Sequence, residues 1–151
     1  MKMKKVIATM CAVATIISMN AGPVAAANVK DVEYKYTVGQ NLLWHSTDKN
    51  NKQNNSKVYV KPSKSPSGKT YVQTWCNVGG VGVNQTKAGQ VTLSNNTAYA
   101  ITNYVYERGD QKSKTDKDVN MWLKLKPTSG VGTASGVWSP DWTGKKKAKI
   151  V

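Results

Sequence analysis

Apolar and polar residues alternate with a period of two along most of the chain after residue 27. The clearest case is segment 119–125, in which Val, Met and Leu occupy every second position. Since successive side chains of a β-strand point to opposite faces, this pattern predicts a strand with one buried face. Similar runs, bounded by turn residues, occupy segments 32–38, 58–60, 70–78 and 91–93. We therefore predict an all-β fold: a single antiparallel β-sandwich, or a small barrel, of about six to eight strands.

Three segments depart from simple alternation. The run 97–107 is apolar on both faces, which favours a strand at the centre of a sheet or between two packed sheets. Segment 46–57 is polar and rich in asparagine, which predicts a mobile loop, and the three glycines in 79–82 predict a flexible corner. The predicted domain covers residues 28–144, and residues 145–151 are interpreted as a lysine-rich C-terminal tail.

Residues 1–27 have the composition of a cleaved signal peptide. Lys2, Lys4 and Lys5 form a positively charged start, an apolar run follows at 6–18, and three alanines close the segment. An apolar run of this length is too short to span a bilayer. We therefore expect a secreted, extracellular protein, free or associated with the cell wall, whose mature chain begins near Asn28 and has no transmembrane segment.

The charge of the mature chain indicates an anionic partner. Nineteen basic and eight acidic residues follow residue 27, so the mature net charge is +11. Such a field attracts polyanions in a salt-dependent way. Arg108 is the only arginine, and lysine is poorly suited to bidentate recognition of bases. We expect no specific nucleic-acid recognition. The expected partner is an anionic envelope polymer or a lipid surface. The alternative is that the charge serves solubility alone.

The cysteine content of the mature chain excludes an internal disulfide as a way of stabilising the fold. Cys11 leaves with the signal peptide, so the mature chain keeps Cys76 alone and has no internal disulfide. Cys76 lies in an apolar run, which favours a buried, inert thiol within a monomer. A dimer linked through Cys76 is the alternative.

Catalytic and metal-binding patterns are weak. His45 is the only histidine, and no Gly-x-Ser-x-Gly nucleophile elbow occurs. Asp116, Asp118 and Asn120 have the spacing of a calcium loop, but Met121 stands where that loop needs glycine. The sequence therefore predicts no enzyme, no metal and no cofactor.

Tryptophans beside lysines are the strongest candidates for binding. Trp122 alternates with lysines on the polar face of its strand, and Trp75 shares one side of its own strand with Tyr71. Exposed aromatics beside lysines stack on sugars or bases, or lie at a membrane interface; the alternative is that this face is the inner layer of a second sheet. Near the C-terminus, a tryptophan and four lysines resemble an electrostatic tail for an anionic surface. The candidate binding residues are Trp122, Lys124, Lys126, Trp142, Lys145, Lys146, Lys147 and Lys149.

Two short segments carry a resemblance. The sequences ITNYVYE at 101–107 and SGVWSPD at 135–141 resemble a group of small exported proteins of low-GC Gram-positive bacteria. That group shares a terminal S-G-x-W-S-P-D motif and has no assigned function, so the resemblance implies export and a β fold only. A looser similarity runs to the lactococcin-type bacteriocins, small exported β-sandwiches that act at the envelope of competitors.

These observations favour a secreted, basic, non-enzymatic protein that binds an anionic polymer of the cell envelope or its surroundings. A bacteriocin-like antibacterial protein, acting at the envelope of competing bacteria, is the alternative. A small secreted hydrolase without a visible motif is the third.

Overall fold

The computed structural model describes residues 27–151, so the signal peptide predicted at 1–27 lies outside the described residues except for Ala27. The described chain forms eleven strands and one single-turn helix. Their bounds are β1 Val32–Val38, β2 His45–Ser46, β3 Asn50–Lys52, β4 Val58–Lys64, β5 Lys69–Val78, β6 Val81–Asn84, β7 Val91–Ser94, β8 Tyr99–Ile101, α1 Val105–Arg108, β9 Val119–Pro127, β10 Gly132–Ser139 and β11 Lys149–Ile150.

The strands form two sheets packed together, one of them strongly curled. The order in sheet A is β1-β10-β4-β8-β11, and in sheet B it is β2-β9-β5-β6, with β3 also paired to β9 and β7 to β5. The prediction of an all-β sandwich or small barrel is confirmed. The strand number exceeds six to eight because several strands, such as β2, β3 and β11, have only two or three residues.

The alternation seen in the sequence determines which side of β9 faces the core. Val119, Met121, Leu123 and Leu125 are fully buried, whereas the residues between them are exposed or half-buried. Trp138 of β10 is also fully buried and is the largest such side chain. Burying an apolar side chain of this size contributes about 1.5–3 kcal/mol. One apolar layer between the two sheets therefore holds the fold together.

Cys76 lies in this layer, as the sequence predicted. Its thiol is free and fully buried. Burial raises the pKa of the Cys76 thiol to about 11, and the nearby Asp110 carboxylate adds to the shift. Because only the thiolate reacts readily, this cysteine is chemically inert while the domain is folded.

The run 97–107 is not one strand. Strand β8 ends at Ile101, and the chain then turns into α1. The Asn103 side chain causes the break, since its Nδ2 donates to the Ile101 carbonyl (3.1 Å) and its Oδ1 accepts from the Val105 amide (3.2 Å). Such local bonds compete with the ladder of a sheet. The prediction of a single long central strand was therefore wrong.

Segment 46–57 is not simply a mobile loop. Strands β2 and β3 both pair with β9, and the side chain of Lys52 is fully buried. Its ammonium lies 3.1 Å from the Asp141 carboxylate, which is buried as well. The polar composition of segment 46–57 does not reveal the buried ion pair, because Asp141, the partner of Lys52, lies 89 residues away in sequence.

The glycine-rich corner is an ordered hairpin turn between β5 and β6. Gly79 and Gly80 have φ values of 60° and 80°, which glycine adopts at little cost. Both backbone amides donate to the Asp110 carboxylate at 2.8 Å. This carboxylate fixes a turn that the composition alone presents as flexible.

The C-terminal residues belong partly to sheet A. Strand β11 pairs with β8 in parallel, and the Val151 carbonyl accepts from the Thr102 amide at 2.8 Å. The residues interpreted from the sequence as a lysine-rich tail, 145–151, therefore include a short strand of sheet A, and the sandwich is not wholly antiparallel. Within residues 27–151, no helix combines the length and apolar character needed to cross a membrane.

Candidate functional site

The outward face of sheet B gathers three tryptophans and three lysines. Strands β5 and β9 supply its centre, and the segments around β2 and β3 supply its edge. We call this surface the tryptophan–lysine face. Its members are Trp44, Trp75, Trp122, Lys49, Lys124 and Lys126.

Two tryptophans on neighbouring strands form the centre of the face. Trp75 and Trp122 are directly opposite in the antiparallel register, and their ring centroids lie 6.4 Å apart at an interplanar angle of 32°. Cross-strand aromatic pairs of this kind stabilise a sheet while leaving part of each ring exposed. The indole N–H of Trp75 donates to Gln73 at 2.9 Å, which fixes the ring orientation. The two rings therefore form a preorganised platform.

A glycine on the adjacent strand makes room for this platform. A Cβ atom at Gly82 of β6 would lie 3.3 Å from the Trp122 ring and 3.8 Å from the Trp75 ring. The first distance is tighter than ordinary van der Waals contact. A larger residue at position 82 would therefore press on the Trp122 ring and cover part of the platform.

Each tryptophan of the face has a lysine ammonium over its ring. Lys124 Nζ lies 3.6 Å from the Trp75 centroid, Lys49 Nζ lies 5.4 Å from that of Trp122, and Lys126 Nζ lies 5.7 Å from that of Trp44. Cations within about 6 Å of a ring centroid are attracted by its quadrupole. The rings therefore hold positive charge in place beside their own apolar surface.

No carboxylate offsets this charge on the two central strands. The outward positions of β5 are Lys69, Tyr71, Gln73, Trp75 and Asn77, and those of β9 are Asn120, Trp122, Lys124 and Lys126. These nine described positions contain three lysines and no acidic residue. The face is therefore positive and aromatic along the whole length of the β5–β9 pair.

The C-terminal tryptophan and lysines lie in a different environment. The Trp142 indole N–H donates to the Lys146 carbonyl at 2.9 Å, and Lys146 Nζ lies 2.6 Å from an Asp31 carboxylate oxygen. The same ammonium lies 4.9 Å from the centroid of the Tyr59 ring. Trp142 and Lys146 therefore attach the end of the chain to the domain.

The remaining C-terminal lysines are exposed. Lys145 and Lys147 flank the ion-paired lysine, and Lys149 lies in β11. A cavity of about 100 Å³ beside Trp142 is lined by Val29, Asp141 and Lys145 among others. Ligand pockets usually have volumes of roughly 300–1,000 Å³, so this cavity does not fit a sugar-sized ligand.

The structure thus divides the residues singled out from the sequence into two sets. Trp122, Lys124 and Lys126 lie together on the outward face of β9, and the inner layer is formed by the alternate residues of that strand. The C-terminal set follows β10 of sheet A. Sequence reasoning missed Trp44 and Lys49, because Trp44 lies just before segment 46–57, whose composition predicted a loop, and Lys49 lies within it. Trp75 was recognisable only by its position on the same side of the strand as Tyr71 in the alternation.

The only histidine lies at the edge of sheet B, beside segment 39–43. The His45 ring stacks on the Tyr36 ring with centroids 4.1 Å apart. The groove beside it, about 340 Å³, is lined by residues 39–43 and His45, none of which is acidic. A histidine that acts as a general base is normally oriented by a carboxylate or carbonyl. Across residues 27–151, no three His, Cys, Asp or Glu side chains come together in a way that would hold a metal ion.

Comparison with known proteins finds one family. A family model described as "Protein of unknown function (DUF2712)" matches residues 22–142. The matched segment contains every strand from β1 to β10 and all six members of the tryptophan–lysine face. No curated protein and no solved structure shows a significant match to the chain.

Proposed function

The chain belongs to the DUF2712 family of proteins of unknown function, and from this premise we propose that it is a secreted, non-enzymatic protein that binds an anionic polymer of the bacterial envelope through the tryptophan–lysine face. The family description assigns no activity, so the proposal depends on the surface itself. The observation that carries it is the Trp75–Trp122 platform with an ammonium group over each ring.

The chemistry of the face matches that of a charged polymer. Indole rings stack on the apolar faces of sugars, as they do on bases, and lysine ammonium groups attract phosphate or carboxylate. Each such contact is weak alone. A polymer that repeats the same unit engages several of them at once, and the combined affinity exceeds that of one contact by orders of magnitude.

The shape of the face favours an extended ligand. It follows the length of β5 and β9, whose pairing spans residues 70–76 and 121–127. Seven consecutive residues of a strand cover roughly 23 Å, the length of several sugar or polyol-phosphate units. A surface of this shape suits a chain lying along it better than a small molecule, which binds in a concave pocket.

A lipid surface is the less favoured partner because of how the tryptophans are seated. Trp75 and Trp122 are half-buried in the sheet, so only part of each side chain is exposed. Proteins that enter the interfacial region of a membrane bury an apolar surface roughly 5–10 Å deep. The half-buried rings therefore favour stacking on a polymer.

The predicted compartment and charge agree with this partner. A signal peptide would deliver the protein to the envelope, and the mature net charge of +11 would attract polyanions from a distance. The charge alone gives neither affinity nor orientation, whereas the rings at the face supply short-range contact. The lysines outside the face then contribute to attraction without forming the site.

Co-sedimentation with isolated Gram-positive cell walls tests the proposal. The mature protein should pellet with intact walls and stay in solution with walls from which the phosphate-containing polymers have been extracted. Binding should weaken as the ionic strength rises above about 0.15 M, where the screening length is about 8 Å. Equal pelleting with both wall preparations would reject the proposal. Pelleting only with anionic lipid vesicles would assign the face to a membrane.

Matched variants separate the face from the total charge. Lys124→Gln with Lys126→Gln removes two charges from the face, and Lys145→Gln with Lys147→Gln removes two from the C-terminal segment. Only the first pair should reduce wall binding substantially. Viable counts of whole cells in the same tubes test the bacteriocin-like alternative, since a binder leaves the counts unchanged and a bacteriocin lowers them.

A further inference from the structure

A buried carboxylate lies beside the predicted start of the mature chain. Asp141 has 1% of its surface exposed and accepts four hydrogen bonds. Its Oδ1 accepts from Lys52 Nζ at 3.1 Å and from Ser56 Oγ at 3.3 Å, and its Oδ2 accepts from the backbone nitrogens of Asn28 at 2.8 Å and Gln53 at 3.0 Å. We call these five residues the Asp141 cluster.

Asn28 is held in this position by further contacts. Its carbonyl accepts from the Asp141 amide at 3.2 Å, and its side-chain Nδ2 donates to Asn50 Oδ1 and to the Asn51 carbonyl, both at 2.9 Å. Asn28 is thus joined to two separate parts of the fold, strand β3 and the residue that follows Pro140. The carbonyl of the preceding residue, Ala27, instead accepts from the Val29 amide at 3.0 Å, a bond within the terminal segment.

We propose that the bond between Ala27 and Asn28 is the processing site and that its hydrolysis places a new α-ammonium group on the Asp141 carboxylate. Water is the co-reactant and an extracytoplasmic signal-cleaving endopeptidase is the catalyst. The C–N bond breaks, the hydroxyl of water joins the Ala27 carbonyl carbon, and a proton joins the Asn28 nitrogen. At neutral pH that nitrogen takes up one further proton and becomes a cation, whereas the Ala27 carboxylate leaves with the cleaved segment.

The new charge converts a neutral contact into an ionic one. Before hydrolysis, Asp141 Oδ2 accepts from two neutral amides and Oδ1 accepts from the only cation of the cluster. Hydrogen bonds from a cation to a carboxylate are roughly twice as strong as neutral ones. Asn28 is half-buried, so solvent screens the repulsion between its ammonium and Lys52. Processing at this bond therefore stabilises the fold, whereas processing one residue away leaves the ammonium out of reach.

A second cation on Asp141 helps to order the carboxylate that holds the buried Lys52. Burial lowers the pKa of the Lys52 ammonium, and the Asp141 carboxylate opposes that shift. The Lys52 ammonium has no access to water and is held by an Asp141 carboxylate oxygen together with the Ser56 and Pro140 carbonyls, so its position depends on an ordered Asp141. An ammonium on the second oxygen orders the carboxylate further, and it links the N-terminus to the segment that follows β10.

The N-terminus of the secreted protein gives the first test. The full chain is secreted from a Gram-positive host, and the mass of the intact product is measured. A product that begins at Asn28 is expected. A product that begins at any other residue would overturn the proposal, whatever the outcome of the wall-binding experiment, since the two do not share residues.

Thermal unfolding of two chains tests the charge itself. One chain begins at Asn28 and the other keeps Ala27, both released from a fusion partner by a protease that leaves no extra residue. The two have equal net charge. At pH 6 the chain that begins at Asn28 should unfold at a temperature higher by about 3–6 °C. Equal unfolding temperatures at pH 6 would contradict the proposal.

The pH dependence of this difference identifies the group responsible. An α-amino group in an unfolded chain has a pKa of about 8. A carboxylate partner favours the protonated form in the folded chain, so its stabilising contribution is complete below about pH 8 and is lost as the pH rises through the folded value. The difference between the two chains should therefore vanish near pH 10, and a difference that persists there would reject the ammonium as its cause. Lys52, on the other Asp141 oxygen, is present in both chains, so the difference between them measures the α-ammonium together with its screened repulsion from Lys52.

Discussion

The tryptophan–lysine face and the C-terminal segment 142–151 contain the same residue types in two different arrangements. On the face, lysines lie over tryptophan rings and the outward positions of β5 and β9 hold no carboxylate. In the C-terminal segment, Trp142 also has a lysine over its ring, with Lys57 Nζ 5.9 Å from the centroid, but Lys146 is paired with Asp31 and the Trp142 indole bonds to the backbone of the same segment. The difference teaches that the number of lysines near a tryptophan does not identify a binding surface. What differs is whether a carboxylate already pairs with those lysines, because a tryptophan in each region has a lysine over its ring and a hydrogen-bonded indole N–H.

Removing the buried carboxylate beneath the C-terminal segment should have the largest effect. Asp141→Ala leaves the Lys52 ammonium buried without its ion-pair partner, and breaking a buried pair in this way costs about 3–5 kcal/mol. The free energy of unfolding, measured with urea, should fall by that amount. Asp116→Ala is the matched control, because Asp116 forms a partly exposed pair with Lys112 at 3.8 Å and such pairs contribute at most about 1 kcal/mol. Similar losses for both variants would mean that the buried Lys52–Asp141 pair contributes no more than a partly exposed one.

Removing one ring of the platform should have the next largest effect, and it should be on binding. Trp122→Ala deletes half of the Trp75–Trp122 pair, and stacking on an aromatic side chain contributes about 1–3 kcal/mol. The dissociation constant for the wall polymer should rise by roughly 5- to 150-fold. Trp142→Ala, which removes a half-buried tryptophan outside the face, should change it less than about twofold. An equal loss of affinity in the Trp142 and Trp122 variants would contradict the assignment of the binding site to the tryptophan–lysine face.

Enlarging the glycine beside the platform should have a smaller effect of the same kind. Gly82→Val places side-chain atoms against the Trp122 ring and covers part of it. Polymer affinity should fall by a few-fold, a loss of roughly 1 kcal/mol, whereas Gly39→Val adds a side chain where nothing lies within 4 Å and should leave binding unchanged. Isothermal titration calorimetry measures the polymer affinity of both variants. An unaltered affinity for Gly82→Val would place the ligand away from the Trp122 ring.

Neutralising the ion-paired lysine of the C-terminal segment should have the smallest effect. Lys146→Gln removes the contact with Asp31, in which both side chains remain partly exposed. Pairs of this kind contribute about 0–1 kcal/mol. Denaturant unfolding should therefore show a loss within that range, and wall binding should be unaffected beyond the loss of one charge. A large loss of wall binding would mean that Lys146 is part of the binding surface.

The sequence predicted the parts of the fold that depend on local alternation. In β9, four buried residues alternate with outward ones, so both the strand and the outward position of Trp122 follow from the pattern. Segment 46–57 was misread because Lys52 is buried by a carboxylate far away in sequence, and no local pattern reveals such a pair. The run 97–107 was misread because one side chain, Asn103, ends the strand through bonds to its own neighbours.

The candidate site was predictable only in part for a related reason. Trp122, Lys124 and Lys126 belong to one strand, so their common face follows from a period of two. Trp75 joins them through the register between β5 and β9, and Trp44 joins them at the edge through β2. Register and edge pairing depend on the whole sheet. A single sequence therefore identifies one row of the face but not the surface that the rows form together.

The most direct test of the tryptophan–lysine face is a titration of the protein with purified polyol-phosphate wall polymer, followed through its five tryptophan indole N–H signals by NMR. The signals of Trp75 and Trp122, and to a smaller extent that of Trp44, should shift together as polymer is added. Those of Trp138, which is fully buried, and Trp142, which lies outside the face, should remain in place. A titration that shifts the Trp142 signal and leaves those of Trp75 and Trp122 unchanged would contradict the account.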